Sequence, residues 1–285
     1  MILFKRAAEI NKYLKIKSKS GGSLGFVPTM GALHAGHISL LENSKKVNTL
    51  TVCSIFVNPT QFNDPQDFAK YPVTLEKDLL ALEQCGCDIL FLPSVEEIYP
   101  QDITGSPVFD LGYLETILEG SYRPGHFQGV CQVMSRLLEI VMPDILYLGQ
   151  KDYQQCMVIK RLIALNGWPI QLTVSATLRE NTGLALSSRN MRLTATEKEK
   201  AAIIFKALQY LAQQIKPGEM VEYKMNVEQM ITKAGFEKID YVSITNADTL
   251  EPITNWNGQT PLVALVAAFL NGVRLIDNMR LINTE

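Results

Sequence analysis

A chain of 285 residues with 27 Lys and Arg against 29 Asp and Glu carries a formal net charge of −2. That balance argues against nucleic acid or an anionic membrane surface as its main partner. With 47% hydrophobic residues and no apolar run of the ~18–20 residues that span a bilayer, it has a soluble globular composition, sufficient for one large domain or two.

The N-terminal stretch, MILFKRAAEINKYLKIK, alternates apolar and charged residues with helical spacing, and residues 4–16 set Ala7, Ala8, Ile10 and Leu14 on a rough helical face. It lacks the separate apolar core and small-residue cleavage site of a signal peptide. Ser20-Gly21-Gly22-Ser23 is a turn, 24–28 a short strand, and a helix runs from just after Gly36 to about Val47. Residues 49–57, TLTVCSIFV, are too apolar for a half-exposed strand and suit the interior of a parallel sheet. Asn58-Pro59 ends that strand at the carboxyl edge, where open α/β sheets bind ligands. A polar segment leads to a helix over 74–85, with Thr74 as its cap and Glu76, Lys77 and Asp78 near its start.

Gly86 stops this helix, and CDILFLP is the next buried strand. Residues 94–124 are irregular. An apolar helix over 127–141 ends at Pro143, 144–149 is a strand, helix follows to about Asn166, and 169–176 is one more strand. Strands alternating with helices of this length predict a doubly wound parallel sheet. The character changes near Arg179, where RENTGLALSSRN is polar and turn-rich. Thr194 opens a long helix to about Gln214, with Thr194 and Glu197 as a capping box. A break at Pro217-Gly218, another helix and the strands IDYVSIT and LVALVAAFL follow. The expected organisation is an α/β domain over 1–180 and a smaller α+β domain over 181–285. The five cysteines (Cys53, Cys85, Cys87, Cys131, Cys156) form no CxxC pair and read as reduced core residues of a cytoplasmic protein.

The chain has three histidines, all beside Gly or Pro turns: His34, His37 and His126. Gly31 to His37 spells GxxxxGH, but a P-loop needs Lys and then Ser or Thr where this chain has His37 and Ile38. What remains is H-x-G-H at the mouth of a helix that follows a strand. Gly36 lets a ligand approach the backbone, and the helix N-terminus offers N–H groups and a positive dipole. Two imidazoles there can hydrogen-bond a phosphate and stabilise charge that builds on it. A capping turn with incidental histidines is the plain alternative. A zinc site would have only two ligands, with no nearby Cys or carboxylate to complete the set.

Asn58 and Gln61 bring amides that donate and accept, suited to hydroxyl and carboxylate groups of a small substrate; the bland alternative is an Asx-type turn. Gly149-Gln150-Lys151-Asp152 follows a strand, with Lys151 a point charge for phosphate and Asp152 an acceptor for ribose hydroxyls. Gln155 lies one turn along the helix that starts there. Leu186-Ser187-Ser188-Arg189-Asn190 suits a polyphosphate clamped as a second domain closes, or is simply a polar linker. Arg123 and His126 add two polar groups in RPGHFQG. No Ser-His-Asp or Cys-His pairing and no paired carboxylates stand out.

In this order and spacing, PTMGALHAGH, SIFVNPTQF, YPVTLEKD, RPGHFQGV, PDILYLGQKDYQQ and GLALSSRN resemble the pantothenate synthetase family, down to RLIDNM near the end. HxGH alone occurs across nucleotidyltransferases and class I aminoacyl-tRNA synthetases; the whole set is far more specific. The resemblance implies a Rossmann-like N-terminal domain that binds ATP and pantoate, a smaller C-terminal lid, and a cytoplasmic homodimer. It implies ATP- and Mg²⁺-dependent condensation of D-pantoate with β-alanine to pantothenate, on the way to coenzyme A. AMP and pyrophosphate leave through a pantoyl-adenylate intermediate.

By that resemblance, the ATP contacts are Met30, Gly31, Ala32, Leu33, His34, Ala35, Gly36, His37, Gly149, Gln150, Lys151, Asp152, Leu178, Leu186, Ser187, Ser188 and Arg189. His37, as proton donor, acts with His34 and Lys151 in catalysis. Gln61 and Gln155 contact pantoate, and Asn58, Arg123 and His126 join the substrate set. The magnesium ligands stay open, with Asp78 a candidate. One departure is Thr60, where the family commonly has Met as an apolar wall near the dimethyl group of pantoate; Thr there would alter affinity slightly.

Overall fold

The structure is a computed structural model that describes residues 1–19, 21–62, 68–100 and 107–281. Ser20 of the expected turn lies outside these residues, as do 63–67 of the polar segment and 101–106 of the irregular stretch. The chain divides into two compact units. The N-terminal unit is residues 1–149 with 154–176, and the C-terminal unit is 150–153 with 177–285.

The N-terminal unit is built on six parallel strands: β1 (Ile2–Phe4), β2 (Leu24–Thr29), β3 (Leu50–Ile55), β4 (Ile89–Phe91), β5 (Ile145–Gly149) and β6 (Gln171–Ser175). Their order is β1-β4-β3-β2-β5-β6. Successive side chains on a strand point to opposite faces, and both faces of this sheet are covered. Phe26, Val52, Phe91 and Leu146 join one buried cluster, while Val27, Cys53, Leu90 and Tyr147 join another. The helices of this unit include α1 (Ala7–Ser18), α2 (Ala35–Val47), α3 (Leu75–Gln84), α4 (His126–Val141) and α5 (Tyr153–Leu165). From β2 the chain winds outward through β3 and β4; it then returns to the other side of β2 with β5 and β6. The strand order therefore reverses between β2 and β5, the switch point at whose carboxyl ends open α/β sheets bind ligands.

In the C-terminal unit, α6 (Ala195–Ala201), α7 (Ile203–Gln214) and α8 (Val221–Lys233) accompany a three-stranded antiparallel sheet. Two short strands, β7 (Gly218–Glu219) and β9 (Asn255–Trp256), pair with each other. The sheet has the order β11-β10-β8, from β8 (Lys238–Asn246), β10 (Leu262–Leu270) and β11 (Val273–Arg280). The middle strand β10 is the apolar run LVALVAAFL, almost wholly buried. Thr194 and Glu197 do form the capping box that starts α6.

Three local expectations differ. Residues 2–4 are not part of a helical run but an edge strand paired in register with β4. The helix expected to run from 194 to 214 is two helices that meet at Ala202. Thr74 precedes α3 without capping it, because its hydroxyl donates to Asp78 Oδ1 at 3.1 Å instead.

Candidate functional site

In the N-terminal unit, β2 ends at Thr29, and the chain passes through Met30-Gly31-Ala32-Leu33 before α2 begins. Gly31 and Ala32 both adopt positive φ, +79° and +48°. That conformation is open to Gly and costs a residue with a Cβ of order 1–3 kcal/mol. A Cβ on Gly31 would also come within 3.1 Å of Asp78 Oδ2 and 3.2 Å of Ile55 Cγ2. Two successive left-handed residues turn consecutive N–H groups toward one side, and a single carboxylate meets them. Asp78, 2% exposed on α3, accepts from Ala32 N at 2.9 Å and from Leu33 N at 2.8 Å. With the Thr74 hydroxyl it has three donors, so its place in this fold is beneath the turn.

The turn delivers His34 to the N-cap of α2 in extended conformation. His34 Nδ1 accepts from Gly36 N at 3.2 Å, and His37 Nδ1 accepts from His34 N at 3.3 Å. The expectation that the helix mouth offers its N–H groups is thereby narrowed. Gly36 N–H meets the His34 ring, and His37 N–H meets His34 O at 2.8 Å. What the mouth presents instead is a pair of oriented imidazoles, with centroids 4.0 Å apart and planes tilted by 33°. A ring whose Nδ1 accepts carries its neutral-form proton on Nε2. Backbone geometry therefore sets both rings in the same tautomer, each with Nε2–H as donor.

The end of β3 supplies the second group. Asn58 is 1% exposed and engaged on both ends of its amide. Its Oδ1 accepts from Tyr99 Oη at 2.9 Å, Thr60 Oγ1 at 3.1 Å and Thr60 N at 3.4 Å. Burial raises the Tyr99 phenol above its ordinary pKa, with its bonds to Thr60 and Asn58 pulling the other way, so it is a neutral donor. Asn58 Nδ2 must then donate, and it does so to Gln61 Oε1 at 3.2 Å and Gly129 O at 3.1 Å. The Gln61 amide is oriented in turn: Oε1 faces Asn58, and Nε2 lies 3.0 Å from Met30 Sδ. Gln61 thus presents N–H, and an acceptor on a ligand is its match.

Arg123 and His126 reach Gln61 through its backbone. His126 is buried, with Nδ1 2.8 Å from Gln61 O and Nε2 3.1 Å from Arg123 Nη1. Guanidinium only donates, so Nε2 accepts and Nδ1–H holds the Gln61 carbonyl. Gly129, one turn into α4, allows this approach. A Cβ there would collide with Thr60 O and lie 2.9 Å from Gln61 Cα. In the Gln154-Gln155 pair, Gln154 is buried, donating to Leu114 O and Ile117 O and accepting from Glu119 N. Gln155 is half-buried.

The remaining candidates lie in the C-terminal unit, apart from Gly149 at the end of β5. Gln150–Asp152 is a 3-10 turn, and Lys151 Nζ is 3.5 Å from Asp152 Oδ1. Residues 178–186 form a small hairpin: Leu186 N donates to Leu178 O at 2.9 Å, and Arg179 pairs with Ala185 across an antiparallel bridge. Leu178 is exposed and Leu186 half-buried. Ser187 caps the following 3-10 helix by accepting from Arg189 N, and buried Asn190 donates to Ala185 O at 2.9 Å. The stretch is therefore an ordered turn rather than a loose linker. Burial pushes the Cys87 and Cys131 thiols up to about 12 and Cys53 well above its usual value, which makes these three poor nucleophiles.

Sequence reasoning did not single out Tyr99, Gly129 or Gln154, and took Asp78 only as a helix-start acid and magnesium candidate. Of these, only Asp78 had a signal, in its place near a helix start.

The family model for pantoate-beta-alanine ligase matches residues 2–280. The pantothenate synthetase of Cytophaga hutchinsonii is 44% identical over 284 residues, spanning 99% of this chain and 100% of its own. A crystal structure of pantothenate synthetase from Thermus thermophilus is similar with a TM-score of 0.91 at 36% identity, covering 99% of this chain and 100% of that one. Pantoate-beta-alanine ligase from Francisella tularensis, crystallised with beta-gamma ATP and beta-alanine, is similar with a TM-score of 0.80 at 36% identity, covering 99% and 98%.

Proposed function

The chain belongs to the pantoate-β-alanine ligase family and is a ligase enzyme; from that premise we propose that it joins D-pantoate to β-alanine through a pantoyl adenylate. The observation that carries the phosphate half of this reading is the backbone-fixed pair of Nε2–H donors on His34 and His37 at the start of α2. The Francisella relative, crystallised with an ATP species and β-alanine, supports the same two substrates here.

In the proposed first step a carboxylate oxygen of pantoate bonds to the α-phosphorus of ATP. The bond from that phosphorus to the bridging oxygen breaks, and pyrophosphate leaves with the electron pair. The carboxylate is already ionised at neutral pH, so the step needs in-line placement and neutralisation of phosphate charge rather than a general base. His34 and His37 donate to phosphate oxygens, and His37 supplies the proton donor. Lys151, Ser187, Ser188 and Arg189 serve phosphate groups, with Met30–His37, Gly149–Asp152, Leu178 and Leu186 completing the ATP set. Gln61 and Gln155 hold pantoate, and the orientation of Gln61 suits an acceptor such as its carboxylate or hydroxyl oxygen. Asn58, Arg123 and His126 act through Gln61. In the second step the amine of β-alanine bonds to the acyl carbon, the bond to AMP breaks, and the amine gives up a proton.

Among the described residues, no group of three His, Cys, Asp or Glu side chains could hold a metal ion, and three donors already meet Asp78. Magnesium commonly comes with the phosphates of ATP. No helix among the described residues is long and apolar enough to cross a membrane. A cytoplasmic homodimer completes the proposal, and light scattering in solution checks the dimer.

The decisive experiment is AMP release from ATP with pantoate, with and without β-alanine. Turnover only with both acids is expected, and AMP release that depends on a different acid would sink the pantoate assignment. A His37→Ala, Lys151→Ala double variant of full activity would sink the phosphate roles.

A further inference from the structure

The RLIDNM run of β11 carries two polar residues that the proposed chemistry leaves without a task. Asp277 is 5% exposed and Asn278 2%, and polar groups buried this deeply need partners. Asn278 finds its partners in the turn that bears Lys151. Its Nδ2 donates to Gln150 O at 2.9 Å and to Lys151 O at 2.8 Å, and its Oδ1 accepts from Gln150 Nε2 at 3.2 Å. All of these atoms belong to the C-terminal unit.

Both amide hydrogens and the amide oxygen are engaged, and the two carbonyls demand donors, so the carboxamide has one workable orientation. The two carbonyls flank Lys151 in the chain. Holding both on one NH₂ group fixes the peptide planes on either side of the Lys151 Cα, and with them the direction of its Cα–Cβ bond. A lysine side chain has large rotamer freedom, so the region its ammonium can search is set first by that bond. Asn278 is itself anchored. Its N–H donates to Asp277 Oδ1 at 2.8 Å, and Asp277 takes both arms of Arg179 at 2.6 and 3.0 Å. Arg179 in turn donates to Gly183 O at 3.2 Å and lies 3.9 Å from the centroid of the Phe205 ring.

We propose that Asn278 is the positioning residue of Lys151, setting where its ammonium meets the phosphates of a nucleoside triphosphate. The inference deepens the function proposed above and rests on the part of it that gives Lys151 to phosphate. An asparagine that only stabilised the fold would satisfy the same burial. A double-mutant cycle separates the two, because residues that act through one another do not add.

The cycle compares wild type, Asn278→Ala, Lys151→Ala and the double variant by ATP titration calorimetry and by kcat/KM for ATP, with KM for pantoate as control. Asn278→Ala is expected to lower ATP affinity and kcat/KM about tenfold, with the double variant no worse than Lys151→Ala. KM for pantoate should not move. Should Asn278→Ala fail to fold, Asn278→Ser, which keeps one donor, takes its place in the cycle. Full additivity, or an unchanged kcat/KM for ATP, overturns the proposal. A wild type that binds ATP but ignores pantoate overturns the substrate assignment alone, and the calorimetric cycle still tests Asn278. A wild type that binds no ATP overturns both.

Discussion

After β2 the chain turns with two consecutive N–H groups, of Ala32 and Leu33, directed at a carboxylate. After β5 it turns with two consecutive carbonyls, of Gln150 and Lys151, directed at a carboxamide. Backbone conformation decides which kind of holder each turn needs. The first passes through left-handed residues and exposes donors, so an acid on α3 accepts from both. The second is a 3-10 turn at a strand end and exposes acceptors, so an amide on β11 donates to both. The supports beneath also differ, a threonine hydroxyl under Asp78 and, under Asn278, buried Asp277 paired with half-buried Arg179. A turn can thus be held by a side chain of either polarity, provided the holder complements the backbone it grips.

The largest effect should come from breaking the support of the second turn. Arg179→Met leaves Asp277 buried without its cation, and breaking one side of a buried pair costs about 3–5 kcal/mol. Burial already lifts the Asp277 carboxyl above its ordinary range, and the guanidinium pulls it back. Without Arg179 its folded-state pKa rises further above the unfolded value. The folded variant then binds the proton more tightly than the unfolded chain, so stability is regained as pH falls through the folded pKa and lost as it rises. Urea unfolding at neutral and mildly acidic pH should show a deficit that shrinks with acidification; a deficit independent of pH would remove this account of the pair. Next in size, His37→Ala should lower kcat about 10²–10³-fold, the usual loss for one donor to a charge-bearing oxygen, and lower stability by about 0.5–2 kcal/mol because His34 N also loses its capping acceptor.

Swapping the holders sharpens the contrast. Asp78→Asn keeps one acceptor but brings an NH₂ toward the N–H of Ala32 or Leu33. Leaving one buried donor unmet should cost about 1–3 kcal/mol of stability and raise KM for ATP. The reverse exchange, Asn278→Asp, brings carboxylate oxygens against two carbonyls and should be worse than Asn278→Ala. Wild-type melting and ATP kinetics in Asp78→Asn would show that the carboxylate is not the holder of the first turn.

Why some of this was legible in the sequence and some was not follows from how far each residue's partners lie along the chain. The apolar runs of β2, β3, β5 and β10 announce buried strands by themselves, and the histidines stand out because there are three. β1 escapes because Ile2–Phe4 becomes a strand only by pairing with β4, and its pattern runs into the helical spacing of α1. β11 escapes because Arg274, Asp277 and Asn278 interrupt its apolar pattern, and Asp277 and Asn278 have partners 98 to 128 residues away. Asp78 looked like a helix-start acid because the amides it holds are 45 and 46 residues upstream. The orientation of Gln61 was closed to sequence for the same reason, since it depends on Tyr99.

The smallest effect concerns that orientation, at a position where the chain departs from its resemblance. Tyr99→Phe removes one of three donors to Asn58 Oδ1, leaving the Thr60 hydroxyl and N–H. Asn58 stays satisfied, so the loss should be that of one ordinary hydrogen bond, about 1 kcal/mol or a few-fold in KM for pantoate. Thr60→Val alone should cost less, because the exposed hydroxyl can be replaced by water. The two together leave only the backbone N–H at 3.4 Å, and the Asn58 amide is then free to turn over. Gln61 would have to follow, presenting Oε1 where it had presented N–H. The double variant should therefore raise KM for pantoate by more than the product of the two single effects, with KM for ATP unchanged. Strict additivity would mean that the Gln61 amide is oriented by the ligand instead of by Tyr99 and Thr60. The second group of the N-terminal unit would then differ from both turns in having no holder of its own.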